Sequence, residues 1–114
     1  MPEIVLEKIM CSKGVPKILV VLLKGPNSAP ELVYDCRVDT RTIGRGLREL
    51  LGMKMIRKVE PPGRATKVKK FYELTPYGRD TAEVVKAMRE TMIVELEKVM
   101  RKHHHQTHPP EIRS

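Results

Sequence analysis

A chain of 114 residues, 40% hydrophobic and 32% charged, is long enough for one domain with a modest core and too apolar for a disordered basic tail. Its formal net charge of +8 and its pI near 9.7 point to a polyanionic partner, either nucleic acid or an anionic surface. The longest strongly apolar run, Ile18 to Leu23, is far too short to span a bilayer, and the first ten residues lack a signal-peptide pattern, so no membrane partner and a cytoplasmic location are expected.

The charge is concentrated. From Arg37 to Lys70 eleven Lys and Arg residues face only Asp39, Glu49 and Glu60, so this window carries the whole +8 and the rest of the chain is neutral. The two cysteines, Cys11 and Cys36, form no metal motif and no disulfide framework. They read as reduced, partly buried thiols, with a redox or structural pair as the alternative. Asn27 and Gln106 stand alone as the only Asn and Gln amid abundant Lys, Arg and Glu, a bias shown by proteins of high-temperature organisms.

In chain order, Pro2 to Met10 predicts a short helix with Pro2 in its first turn. A second helix begins with Pro16 in its first turn. Val15, Ile18, Leu19, Leu22 and Leu23 recur at three- and four-residue spacing on its buried face, and Gly25-Pro26 ends it. Ser28 and Glu31 form a capping box for a third helix, from Ser28 to about Tyr34, followed by a turn over residues 35–38. Asp39 or Thr40 then caps a fourth helix that runs to about Leu51.

That fourth helix is sharply two-faced. At about 100° per residue, Leu47 and Leu50 lie within about 40° of Ile43, while Arg41, Arg45 and Arg48 lie at about 160°, 200° and 140°, on the opposite side. Thr40 and Thr42 sit at its N-terminal end, where a helix in a major groove reaches base edges. A strand from Met55 to Glu60, a turn at Pro61-Pro62-Gly63 and a return strand from Lys67 to Leu74 follow, with a cationic tip bearing Arg64, Lys67 and Lys69. Thr75-Pro76 opens the last helix, spanning Arg79 to Lys102, with Val85, Met88, Met92, Leu96 and Val99 in one apolar stripe. The residues from His103 onward read as a disordered tail, and His103, His104, His105 and His108 as solvated imidazoles, not a metal site.

This order of elements predicts a mainly α fold with a small β-hairpin wing: a winged helix-turn-helix over residues 1–78, a long C-terminal dimerisation helix over 79–102, and a tail over 103–114. Leu47-Arg48-Glu49-Leu50 and Tyr72-Glu73-Leu74-Thr75-Pro76-Tyr77-Gly78 stand where such proteins carry L-R-E-L and Y-x-L-T-x-x-G. Across roughly Val15 to Gly78 the chain resembles archaeal and bacterial transcriptional regulators of the MarR, HxlR and PadR types. The resemblance implies a homodimer on palindromic double-stranded DNA. Arg41, Arg45, Arg48, Thr40 and Thr42 would then enter the major groove, and Arg64, Lys67 and Lys69 would touch phosphates or the minor groove. One departure stands out: the glycine usual before the first wing strand falls at Lys54.

No paired carboxylates, nucleophile with a base, or Gly-rich phosphate loop is present, so no enzyme and no cofactor are expected. Two other readings use the same basic surface: an architectural, chromatin-like DNA binder, and a protein-interaction adaptor. A small apolar effector between the long helix and the domain is compatible with the pattern, but no residue identifies it.

Overall fold

The computed structural model of the chain describes residues 2–60 and 70–104. Its elements run α1 (Pro2–Cys11), α2 (Val15–Leu22), β1 (Asn27–Ser28), α3 (Ala29–Cys36), α4 (Thr40–Gly52), β2 (Ile56–Val59), β3 (Phe71–Leu74) and α5 (Pro76–His104).

The hub is α2, the most apolar helix. Val15, Ile18, Leu19 and Leu22 are buried on it, and it packs against α1, α3, α4, α5 and β3. Gly14, which adopts a left-handed φ of 86°, turns the chain from α1 into α2. Ile9, Leu32, Ile43, Leu47, Leu50 and Met55 close around this helix, so each amphipathic element contributes one face to a single core.

The capping box is formed as expected. The Ser28 hydroxyl accepts the Glu31 amide at 3.4 Å, and the Glu31 carboxylate accepts the Ser28 amide at 3.3 Å. The same serine also belongs to β1, paired opposite Phe71, which makes the sheet three-stranded in the order β1-β3-β2 and fully antiparallel. A two-residue strand is too short to display alternation, so the expected hairpin of two strands gains a third that periodicity could not reveal. In the other pairing Ile56 faces Leu74 and Val59 faces Phe71.

Three boundaries differ from the expectation. Helix α3 runs two residues past Tyr34, to Cys36, because Cys36 packs into the core and Arg37 ends the helix as a left-handed residue with φ 59°. Strand β2 is shorter than Met55–Glu60, since Met55 is spent on the junction described below. Helix α5 begins at Pro76, where Thr75-Pro76 is expected to open it, but continues past Lys102 through His104, so His103 and His104 are helical and not part of a tail. The turn at residues 61–63, the candidates Arg64, Lys67 and Lys69, and the tail from residue 105 lie outside the described residues. Lys70 is exposed and immediately precedes β3.

At 1.5 Å per residue the 29 residues of α5 extend about 43 Å. Only its first half is covered. Ala82 and Val85 are fully buried in the core, whereas every residue from Glu90 through His103 is exposed. Val85, expected in a dimerisation stripe, instead fills its own domain's core, because the first turns of α5 lie directly on α2.

Candidate nucleic-acid interface

The sequence of α4 dictates its placement. Asp39 is the N-cap and accepts the Thr42 amide at 3.3 Å. Hydrogen bonding from Thr42 holds the Asp39 carboxyl below its ordinary value, and the nearby Lys13 ammonium acts in the same direction. Ile43, Gly46, Leu47 and Leu50 form the buried face. Gly46 is a packing residue: a methyl there would come within 2.9 Å of Ile18 Cδ1 and 3.4 Å of Val15 Cγ2, so its absence lets α4 lie close on α2. Gly44 has no such neighbour, only an Arg48 guanidinium nitrogen 3.7 Å away.

On the other side Arg41, Arg45 and Arg48 are all exposed, as is Thr40. Among the described residues none of the three arginines lies within 4.0 Å of a carboxylate; the ion pairs there are Arg57–Glu73 and Lys98–Glu95. Thr42 behaves differently from Thr40. It is half-buried, and its methyl faces Gly14, where an added Cβ would approach to 3.1 Å.

The frame holding α4 to the wing was not legible from residue types alone. The Met55 amide donates to the Leu50 carbonyl and the Lys54 amide to that of Leu51, both at 3.0 Å. Lys54 itself takes a left-handed φ of 64°, the conformation a glycine would adopt without strain. Thr75 then closes the junction. Its hydroxyl donates to the Lys54 carbonyl at 2.7 Å and accepts the Gly78 amide at 3.1 Å. Gly78 has to be glycine, because a methyl there would fall on the Met55 carbonyl. The T-x-x-G pattern read as a family mark is therefore a joint between β2 and α5.

Helices stacked on a central helix, an arginine-faced helix and a β-wing define a winged helix-turn-helix. The chain belongs to the HxlR-like helix-turn-helix family, whose model matches residues 9–109. This family and fold are those of DNA-binding transcriptional regulators, which are not enzymes. Among solved structures the chain is similar to the zinc-responsive MarR family member ZitR of Lactococcus lactis, with TM-score 0.68, 14% identity, 79% of this chain and 61% of that chain covered. It is also similar to the adhesin competence repressor AdcR of Streptococcus pyogenes, with TM-score 0.68, 16% identity, 87% and 74% covered. A third is wild-type L. lactis ZitR in complex with DNA, with TM-score 0.62, 12% identity, 78% and 60% covered. The chain thus spans about three fifths of those ZitR chains. No protein of curated function matches the sequence. Among the described residues no three His, Cys, Asp or Glu side chains group as metal ligands would.

Proposed function

We propose that the chain regulates transcription as a homodimer, with α4 in the major groove of double-stranded DNA. The observation that carries this reading is the exposure of Arg41, Arg45 and Arg48 on one face of α4, with no carboxylate partner among the described residues and with the opposite face buried. Guanidinium forks pair with guanine edges and with phosphates, and this helix offers three of them beside the hydroxyl of Thr40. Arg64, Lys67 and Lys69 would add phosphate contacts from the wing. ZitR, a protein of the same fold, has been solved with DNA, which is in keeping with the proposal.

The dimer reading rests on α5. Met92 is 59% exposed and Leu96 57%, and Ile93, Val99 and Met100 lie bare beside them. A contiguous apolar strip of this size is what an interface leaves behind in one subunit. Met88, half-buried, would form its inner edge, and Met92, Leu96 and Val99 its body.

Selection from a random duplex library tests both parts. The expected result is an enriched palindrome with half-sites about one helical turn apart, about 34 Å. Arg41→Ala with Arg45→Ala should weaken binding to that palindrome by tenfold or more while the fold is retained, since each bidentate base contact is worth about 1–3 kcal/mol. Leu96→Glu should yield monomers by sedimentation and lose palindrome binding. A library that returns no enriched sequence would instead favour an architectural binder.

A further inference from the structure

Nothing in the fold requires glycine at position 44. Its backbone is that of an ordinary right-handed helix, so the left-handed freedom used by Gly14 and Gly25 is not needed there. Gly46 and Gly78 are held to glycine by atoms that a Cβ would strike, Ile18 Cδ1 and the Met55 carbonyl. At Gly44 a Cβ would meet only an Arg48 guanidinium nitrogen, at an ordinary contact distance of 3.7 Å. Gly52, also free of close neighbours, stands at the end of the helix, whereas Gly44 lies in its interior. Alanine would fit at position 44 and favour the helix, so the folded chain on its own gives no reason for its absence.

The surroundings of Gly44 on α4 point outward. At about 100° per residue it lies about 40° from Arg48 and about 60° from Arg41, at the margin of the arginine face. Arg41 comes three residues before it and Arg48 four after, so both are its neighbours on the helix surface. Both are exposed, and Gly44 itself is only half-buried. The missing Cβ therefore leaves an apolar recess about one methyl deep, open to solvent and bordered by the Arg48 guanidinium, which offers hydrogen-bond donors only.

A major groove presents donors and acceptors and one apolar projection, the C5 methyl of thymine, which stands beside the O4 acceptor of the same base. We propose that Gly44 reads a thymine in each half-site. The C5 methyl would occupy the space of the missing Cβ, and O4 would accept from the Arg48 guanidinium. Cytosine in that place would leave the recess empty and set its N4 donor against the donors of Arg48. This inference rests on the reading that α4 lies in the major groove, and it names the base that the exposed face selects.

The test uses the full chain and the palindrome returned by selection. Each thymine is replaced in turn, in both half-sites, by 2′-deoxyuridine, which removes only the C5 methyl, and affinity is read by fluorescence anisotropy at fixed salt. The expected result is a loss of about tenfold or more at one position, from two methyl contacts of about fourfold each. Gly44→Ala should bind the thymine duplex about tenfold or more weakly, since its methyl and that of the base compete for one space. On the duplex with 2′-deoxyuridine at that position it should come within about threefold of the wild-type protein on thymine. Its salt dependence should be unchanged, because no phosphate contact is altered. Gly52→Ala, about 12 Å along the helix, should leave affinity unchanged. Thermal melts that show Gly44→Ala at least as stable as the wild type separate lost binding from lost folding.

Wild-type affinity of Gly44→Ala for the thymine duplex overturns the inference. So does a selected half-site in which no thymine methyl affects binding. An equal loss by Gly44→Ala on the thymine and 2′-deoxyuridine duplexes also overturns it, and would make Gly44 a point of close approach to the DNA backbone. Failure of the groove reading shows separately, as no enriched duplex for the wild-type protein or as unchanged binding by Arg41→Ala with Arg45→Ala, and it removes this inference as well.

Discussion

The Thr75 hydroxyl and the Lys54 carbonyl meet at 2.7 Å, joining the turn that leaves α4 to the residues that open α5. The Thr75 amide adds a bond to the Met55 carbonyl at 3.0 Å. This one residue thus sets the angle between the arginine-faced helix and the arm beyond it. Thr75→Val strips the hydroxyl from both partners and should cost about 1–2 kcal/mol. Gly78→Ala drives a methyl into the Met55 backbone and should cost on the order of 3 kcal/mol or more. Urea unfolding with unchanged m-values measures both, and a wild-type midpoint for Gly78→Ala would refute the joint.

Lys54 carries a backbone strain that its neighbours impose. A non-glycine residue in the left-handed region is disfavoured by about 1 kcal/mol, and Lys54 sits at φ 64°. Lys54→Gly should therefore stabilise the protein by up to about 1 kcal/mol, although glycine also loosens the unfolded chain. Parallel denaturation curves give the sign directly.

The two glycines inside α4 should respond in opposite directions to the same change. Gly44→Ala meets only the Arg48 guanidinium, at an ordinary contact distance of 3.7 Å, and gains helix propensity, about 0.5–1 kcal/mol of stability. Gly46→Ala gains the same propensity but brings a methyl to 2.9 Å from Cδ1 of the fully buried Ile18, which has to shift within a packed core. A net loss of about 1 kcal/mol is expected there. Calorimetry on the pair distinguishes them, and equal shifts would contradict the close approach of α4 to α2.

The thiols differ in reactivity for a stated physical reason. Burial, with Asp35 acting in the same direction, pushes the Cys36 thiol above the ordinary value of 9.0, against the opposing pull of Lys17 and Arg89. The native state therefore holds this proton where the unfolded chain releases it, and the linked stability falls as pH rises past the ordinary thiol range. At pH 8 an alkylating reagent should modify the exposed Cys11 readily, and the buried Cys36 at least about tenfold more slowly. Mass-mapped labelling over time reads both rates.

Much of this molecule was legible before any coordinates. The helices announced themselves because the spacing of Val15, Ile18, Leu19 and Leu22, and of Ile43, Leu47 and Leu50, matches the period of a helix with one buried side. Asp39 and Ser28 announced their caps because each side chain acts only three residues along. The arginine face of α4 followed from the same periodicity. All of these depend on local geometry, which sequence spacing encodes directly.

What sequence spacing could not encode was which distant residues meet. Val85 fits the α5 stripe as well as Met92 does, yet the first is sealed against α2 and the second is bare, because coverage depends on where α2 ends. Gly46 and Gly44 are equivalent by propensity and are separated only by Ile18 standing over one of them. Ser28 became a strand residue only through Phe71. The sequence by itself determined the helices, their caps and the charged face of α4, since these are set within a few residues. The tertiary structure decided the joint at Thr75 and the covered half of α5, since each needs contacts between residues about twenty or more positions apart, which no local pattern records.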